Sequence, residues 1–182
     1  VTVTWAANDV TTAIDHYAVS SDGTWENVSG TNHTFVLDDG DHTLHVRAYD
    51  MAGNFNETNV GIVVDTVAPT LEITSPLEGS YLSSGNVTVT WAANDVTTAV
   101  DRHSISLDGI NWTIVNGTSW ELTDLADGDH TIHLRVYDIA GNFNETTVGI
   151  VVDTEVPTLE ITSPLEGSYL SSGNVTVTWA AN

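Results

Sequence analysis

Side-chain oxygen is the chemistry this chain holds in quantity: 25 Asp and Glu stand against 3 Arg, no Lys, no Cys and 7 His, for a formal charge of −22. Carboxylate hydrolysis needs two acids in one cleft with their pKa values driven apart. Here the acids fall in turn sequences instead, such as Asp39-Gly40-Asp41 and Asp127-Gly128-Asp129, with Asp38 and Asp124 close by. They read as solvated turns first and as cation ligands second. No Gly-x-Ser-x-Gly elbow and no credible serine triad occurs. Without Cys there are neither disulfides nor thiolate metal sites. His42 and His130 recur at one repeat position on an inward register, and His45 and His133 on the opposite one beside Arg47 and Arg135. That spacing suits hydrogen-bonded structural histidines better than convergent zinc ligands. The residues therefore argue against an enzyme. Three Arg cannot neutralise a run of phosphates, which excludes nucleic acid, and the same charge disfavours anionic membrane surfaces. An acidic surface fits solubility, divalent cations or a salty medium.

The elements that position these residues come as a repeat, which must be found before any fold is read. Val1-Thr-Val-Thr-Trp5-Ala-Ala-Asn8-Asp9 returns at Val87–Asp95, and its first eight residues return again from Val175 to Asn182. Residues 69–94 recur letter for letter as 157–182, an offset of 88 residues. A unit of that length suits an independent domain rather than a solenoid coil. We expect a repeat lacking its first strand at 1–68, a complete repeat at 69–156, and the first strands of a third at 157–182, cut from a longer protein.

Apolar residues alternate with polar ones nearly throughout, the signature of half-buried strands. Val87, Val89 and Trp91 alternate with threonines, and Ile132, Leu134 and Val136 with His133 and Arg135. Residues 147–152 form a β-branched run suited to a buried strand. Turn signals at Asp108-Gly109, Asp127-Gly128 and Gly141-Asn142 separate the runs. The complete repeat predicts seven strands, near 71–73, 86–92, 101–107, 112–115, 120–122, 130–137 and 147–152. Seven short strands in one such unit predict an all-β, two-sheet sandwich.

Pro-Thr-Leu-Glu-Ile-Thr-Ser-Pro, then Val-Thr-Val-Thr-Trp, a Ser-Leu-Asp-Gly turn, and Asp-Gly-Asp-His-Thr-Ile-His-Leu-Arg-Val-Tyr-Asp-Ile-Ala-Gly-Asn in that order resemble prokaryotic Ig-like repeats. Those domains are similar to fibronectin type III domains and occur in bacterial and archaeal surface proteins. The resemblance covers the whole chain and implies tandem seven-stranded Ig-like sandwiches in an extracellular or cell-surface setting, with an archaeal source preferred. His42 and His130 depart from the fibronectin pattern, standing near its usual tyrosine.

Calcium is the one cofactor these residues argue for, since it accepts six to eight oxygens in tolerant geometry. An up-and-down sandwich places the loops bearing Asp95 and Asp138 at the end where the chain comes in. The turn with Asp38, Asp39 and Asp41 falls at the opposite end of the preceding unit. The first joint should thus gather Asp65, Asp95 and Asp138 with those three, and Asp153 should repeat the arrangement. The linkers Asp65-Thr-Val-Ala-Pro69 and Asp153-Thr-Glu-Val-Pro157 are also similar to those of calcium-stiffened Ig-like repeats in large adhesins. Sequons begin at Asn27, Asn32, Asn56, Asn86, Asn111, Asn116, Asn144 and Asn174, at expected turns or strand starts, and predict a glycoprotein. Trp5, Trp91 and Trp179 share an inward register. Trp25, Trp112 and Trp120 either cap the second sheet or face solvent, where they could stack on sugars.

Three functions stay open: a spacer or scaffold in a stalk, surface layer, sheath or filament; an adhesin or carbohydrate-binding module; and an accessory domain of a larger extracellular enzyme. The expected partners are neighbouring repeats, other copies in a filament or surface layer, and glycans, with no nucleic acid and no membrane contact in this segment.

Overall fold

The computed structural model describes all 182 residues, and every regular element is a strand. The second unit holds β7 (Thr70–Ser75), β8 (Ser80–Leu82), β9 (Val87–Asn94), β10 (Val100–Ser106), β11 (Thr113–Val115), β12 (Ser119–Leu122), β13 (Gly128–Asp138) and β14 (Phe143–Val152), numbered after six strands of the first unit. One sheet has the order β12-β9-β7 and the other β11-β10-β13-β14-β8. Alternation decides which faces meet. On β9 the buried residues are Val87, Val89 and Trp91, on β13 Ile132, Leu134 and Val136, and on β14 Val148, Ile150 and Val152. Trp91, Leu134 and the three β14 residues join Ile105 and Val115 in one cluster between the sheets.

The expected count of seven strands misses β8. This strand pairs parallel to β14, Ser80 with Ile150 through Leu82 with Val152, so the chain leaves the first sheet after β7 and joins the second. Only three residues long and with Tyr81 exposed, it carries too little apolar pattern to be read as a strand.

The first unit comprises β1 (Thr2–Thr4), β2 (Ile14–Ser20), β3 (Glu26–Val28), β4 (Asn32–Thr34), β5 (Gly40–Asp50) and β6 (Phe55–Val64). Its sheets are β1-β4 and β3-β2-β5-β6, with nothing in the places of β7 and β8. Its core accordingly shrinks to Val19, Phe35, Leu44 and Val46. Beyond the second unit, β15 (Leu159–Ser163) and β16 (Thr178–Ala181) form a lone antiparallel pair. Trp179 is therefore exposed, not in a core as its register predicts, because no second sheet covers it.

Inside the second core, Trp91 Nε1 donates to His103 Nδ1 at 2.8 Å, and the Gly117 carbonyl lies 2.8 Å from the same nitrogen. One nitrogen cannot serve both, so Trp91 is satisfied when the ring proton is on Nε2. Burial pushes the His103 pKa down, so the unfolded chain takes up this proton first. The contribution of His103 to stability is present above about pH 6.5 and declines as pH falls through that value. We expect denaturant unfolding of the second unit to show this decline, and His103→Tyr, matching Tyr17 of the first unit, to flatten it. An unchanged pH profile in His103→Tyr would remove His103 as its source.

Candidate functional site at the joint

The structure brings Asp65, Asp95 and Asp138 together, with carboxylate oxygens within 4.8 Å of one another. Each is placed by its own turn. Asp95 follows β9, and its Oδ1 accepts the N–H groups of Thr97 (2.9 Å) and Thr98 (2.7 Å). Asp138 ends β13, is 1% exposed, and its Oδ1 accepts the N–H groups of Gly141 (2.6 Å) and Asn142 (2.9 Å). Gly141 stands at φ +96°, a left-handed conformation that this tight turn gives to glycine. Asp65 comes from the linker: its Oδ2 accepts from Thr98 Oγ1 at 2.5 Å, and its Oδ1 from Val67 N–H at 3.1 Å.

Asn142 closes the arrangement. Its Nδ2 donates to Asp138 Oδ2 (2.8 Å) and to the Asp65 carbonyl (3.1 Å), while Asn144 Nδ2 donates to the Pro69 carbonyl (3.1 Å). Pro69 is itself buried, so the linker is part of the second unit's wall. Asp95 Oδ2 is buried with no hydrogen-bond donor. In the first unit the counterparts Asp9 and Asp50 have no linker beside them. Both are held below the usual carboxylate range, Asp9 chiefly by the Thr12 N–H and Asp50 chiefly by the Asn54 amide.

Asp38, Asp39 and Asp41 do not join this cluster, contrary to expectation. Asp39 Oδ1 accepts the Thr66 N–H (3.0 Å) and Thr66 Oγ1 (2.9 Å), tying the next linker residue to the first unit. Asp38 is exposed and its carbonyl accepts from His42 Nε2 (2.7 Å). Asp41 lies in β5 opposite Val63, where the alternation turns it to solvent. The linker is thus gripped from both sides, by Asp39 on Thr66 and by Thr98 and Asn142 on Asp65. At the next joint Asp127 grips Thr154 as Asp39 grips Thr66, and Asp153 accepts the Glu155 N–H.

The eight sequon asparagines are all exposed. Two have amides already engaged, Asn111 Nδ2 with Asp108 Oδ2 (2.7 Å) and Asn144 with Pro69. Asp108 is held far below the usual carboxylate range, first by the Asn111 backbone N–H.

The tryptophans near the second sheet form a feature that sequence reasoning missed. The Arg135 guanidinium bonds Glu145 Oε2 at 2.6 Å and lies 4.1 Å from the Trp112 ring centre. Arg47 repeats this on Glu57 (2.8 Å) and Trp25 (3.7 Å). One face of each ring is thereby covered. The signal was the cross-strand register Arg135↔Glu145 and Arg47↔Glu57, ten residues apart in each hairpin. Trp120 has no such partner and is 39% exposed.

Two packed sheets with this strand order define an Ig-like, fibronectin III-like sandwich. Residues 69–133, within the second unit, match the bacterial Ig domain family. The chain is 30% identical over 158 residues to halomucin of Haloquadratum walsbyi, covering 79% of the chain but 2% of that protein. It is 25% identical over 177 residues to chitinase A1 of Niallia circulans, covering 87% and 24%. The chain therefore spans less than a quarter of either relative. Among solved structures, the three N-terminal domains of the outer capsid protein Hoc of bacteriophage RB49 align over 100% of this chain and 63% of theirs, at 12% identity and a TM-score of 0.50. That likeness concerns the fold. No helix is long and apolar enough to cross a membrane.

Proposed function

We propose that the chain is a run of structural spacer repeats in an extracellular surface protein, a stalk, sheath, surface layer or filament, with joints stiffened by calcium. The carrying observation is the linker gripped from both sides next to three converging carboxylates. Near-identical units suit a part in which each domain does the same mechanical work. The donor set fits a hard cation: it is all oxygen, and Asp95 Oδ2 is buried without a donor. Two carboxylates this close repel by about 3 kcal/mol at an effective dielectric of ~20. Calcium held by Asp65, Asp95 and Asp138 would cancel that repulsion and tie linker to loops.

Small-angle scattering and thermal melting of the protein, in calcium and in chelator at matched ionic strength, test this reading. Calcium should lengthen the maximum dimension and raise the second unit's Tm by about 5 °C, and Asp95→Asn should lose both responses. If neither quantity changes and Asp65→Asn behaves like wild type, the joint is a plain proline linker. The similarity to chitinase A1 favours one further reading, an accessory module of an extracellular enzyme. A catalytic domain in the same reading frame would select it.

A further inference from the structure

One flank of the second unit, where β12 and β11 are the edges of their two sheets, opens as a groove of about 300 Å³. Strand pairing sets its aromatic wall. β12 lies along β9 with Trp120 opposite Val89 and Leu122 opposite Val87. Residues directly opposite in an antiparallel pair share a face. Val87 and Val89 face the core, so Trp120 is turned between the sheets at an edge that no further strand covers. Ile105 and Leu122 continue this apolar wall inward.

The other wall is polar and held in place by its own turn. Asp108 Oδ1 accepts from the N–H groups of Ile110 (2.8 Å) and Asn111 (2.7 Å) and from Ser106 Oγ (2.9 Å). Its Oδ2 accepts from Asn111 Nδ2 (2.7 Å), which leaves that oxygen room for another donor. Asn111 keeps its side-chain carbonyl and a second amide hydrogen, and Thr113 adds a hydroxyl at the exposed rim. From Gly109 to Trp120 no residue is charged, in a chain of formal charge −22.

The two units also diverge here. Residues 1–13 equal 87–99 and residues 52–58 equal 140–146, letter for letter. At the groove, Thr113, Trp120 and Leu122 stand where the first unit has Glu26, His33 and Phe35, and Asn111 is an added residue between the turn glycine and Trp112. The change removes a charge and supplies a larger ring and an amide, which spacing alone does not ask of this flank.

We propose that the groove binds a neutral pyranose, one ring of a glycan chain. The C–H face of the sugar lies on the Trp120 indole, whose electron-rich face suits it, and the hydroxyls at its rim pair with Asp108, Asn111 and Thr113. An apolar cleft with a few placed polar groups is the usual make-up of a small-ligand site, and this one is at the small end of the range. Asp108 and the charge of the whole chain disfavour an anionic sugar. Binding here depends neither on the spacer reading nor on calcium at the joint.

Nitrogen–proton correlation spectra of the protein made without glycans, titrated in chelator with cellobiose, maltose, lactose and N,N′-diacetylchitobiose, read the site. At least one of these sugars should shift the Trp120 indole N–H together with the Asn111 and Thr113 amides. Trp120→Ala should weaken that binding at least about tenfold, and Thr113→Val, which keeps the shape of the side chain, at least about threefold. The uronic acid counterpart of the sugar that binds should bind more weakly. In glycosylated protein, self-association that needs Trp120 and is reversed by the free disaccharide would assign the sugar to another copy's glycan. Retention by a soluble neutral polysaccharide without self-association would assign it to a glycan from outside. No shift at Trp120 with any of these sugars, shifts confined to Trp112 or to the first unit, binding that survives Trp120→Ala, or a uronic acid that binds as well as its neutral counterpart would each overturn the proposal. The spacer reading stands or falls separately, on the response of length and melting to calcium.

Discussion

Trp91→Ala should destabilise the second unit by about 3–5 kcal/mol, the range for truncating a large buried ring. The side chain is 4% exposed and packs within the cluster that includes Val89, Ile105, Leu134 and Ile150. Its removal leaves a void between two sheets whose strands are fixed by their ladders, so collapse around it is limited. It also removes the Nε1 donor to His103. Trp5→Ala is the internal control: the ring is only partly buried and its Nε1 has no partner, so we expect about 1–2 kcal/mol in the first unit. Denaturant titrations resolving the two units check the pair. A loss below about 1 kcal/mol at Trp91 would mean that the core does not rest on this ring.

Trp91 was also the residue by which the core was most readable, and the reason is periodicity. Val87, Val89 and Trp91 on β9, and Ile132, Leu134 and Val136 on β13, alternate strictly, and a one-residue slip would expose them all. What periodicity cannot carry is a strand of three residues with one apolar side chain facing out. That is why β8 escaped and why the path from one sheet to the other was not foreseen. The lone β15–β16 pair shows the other limit. Trp179 follows the same residues as Trp91, but only β15 and β16 stand beside it, so no second sheet covers its ring.

At the joint, topology was enough to place Asp65, Asp95 and Asp138 together, since adjacent loops and the incoming linker must share one end of a sandwich. It was not enough for Asp38, Asp39 and Asp41. Asp39 faces a competing donor one residue along the linker, Thr66, and hydrogen bonds of 2.9 and 3.0 Å to it hold this acid on the first unit's side. Asn142 and Asn144 were read as a turn residue and a sequon. Their roles in clasping the linker carbonyls depend on side-chain direction across 75 or more residues of sequence, which no spacing rule reveals.

The joint's largest single dependence should be on Asp138. Asp138→Ala takes the carboxylate acceptor from the N–H groups of Gly141 and Asn142, and one of two acceptors from Asn142 Nδ2, in a part-buried turn. Each buried donor left unpaired costs about 1–3 kcal/mol, and water admitted by the smaller side chain recovers part of it, so a net loss of about 2–4 kcal/mol is expected. The same substitution frees Asn142 to move off the Asp65 carbonyl, so the linker should loosen too. Asp50→Ala in the first unit removes the corresponding bonds from Ala52 and Asn54, but those lie at the surface, where water replaces them. Its cost should stay near or below about 1 kcal/mol. Chemical denaturation gives the two losses, and amide hydrogen exchange at Gly141, Asn142 and Val67 reports the turn and the linker separately. Equal losses at Asp138 and Asp50 would show that burial behind the linker contributes nothing. Faster exchange at Gly141 with Val67 unchanged would show that the turn and the linker are held independently.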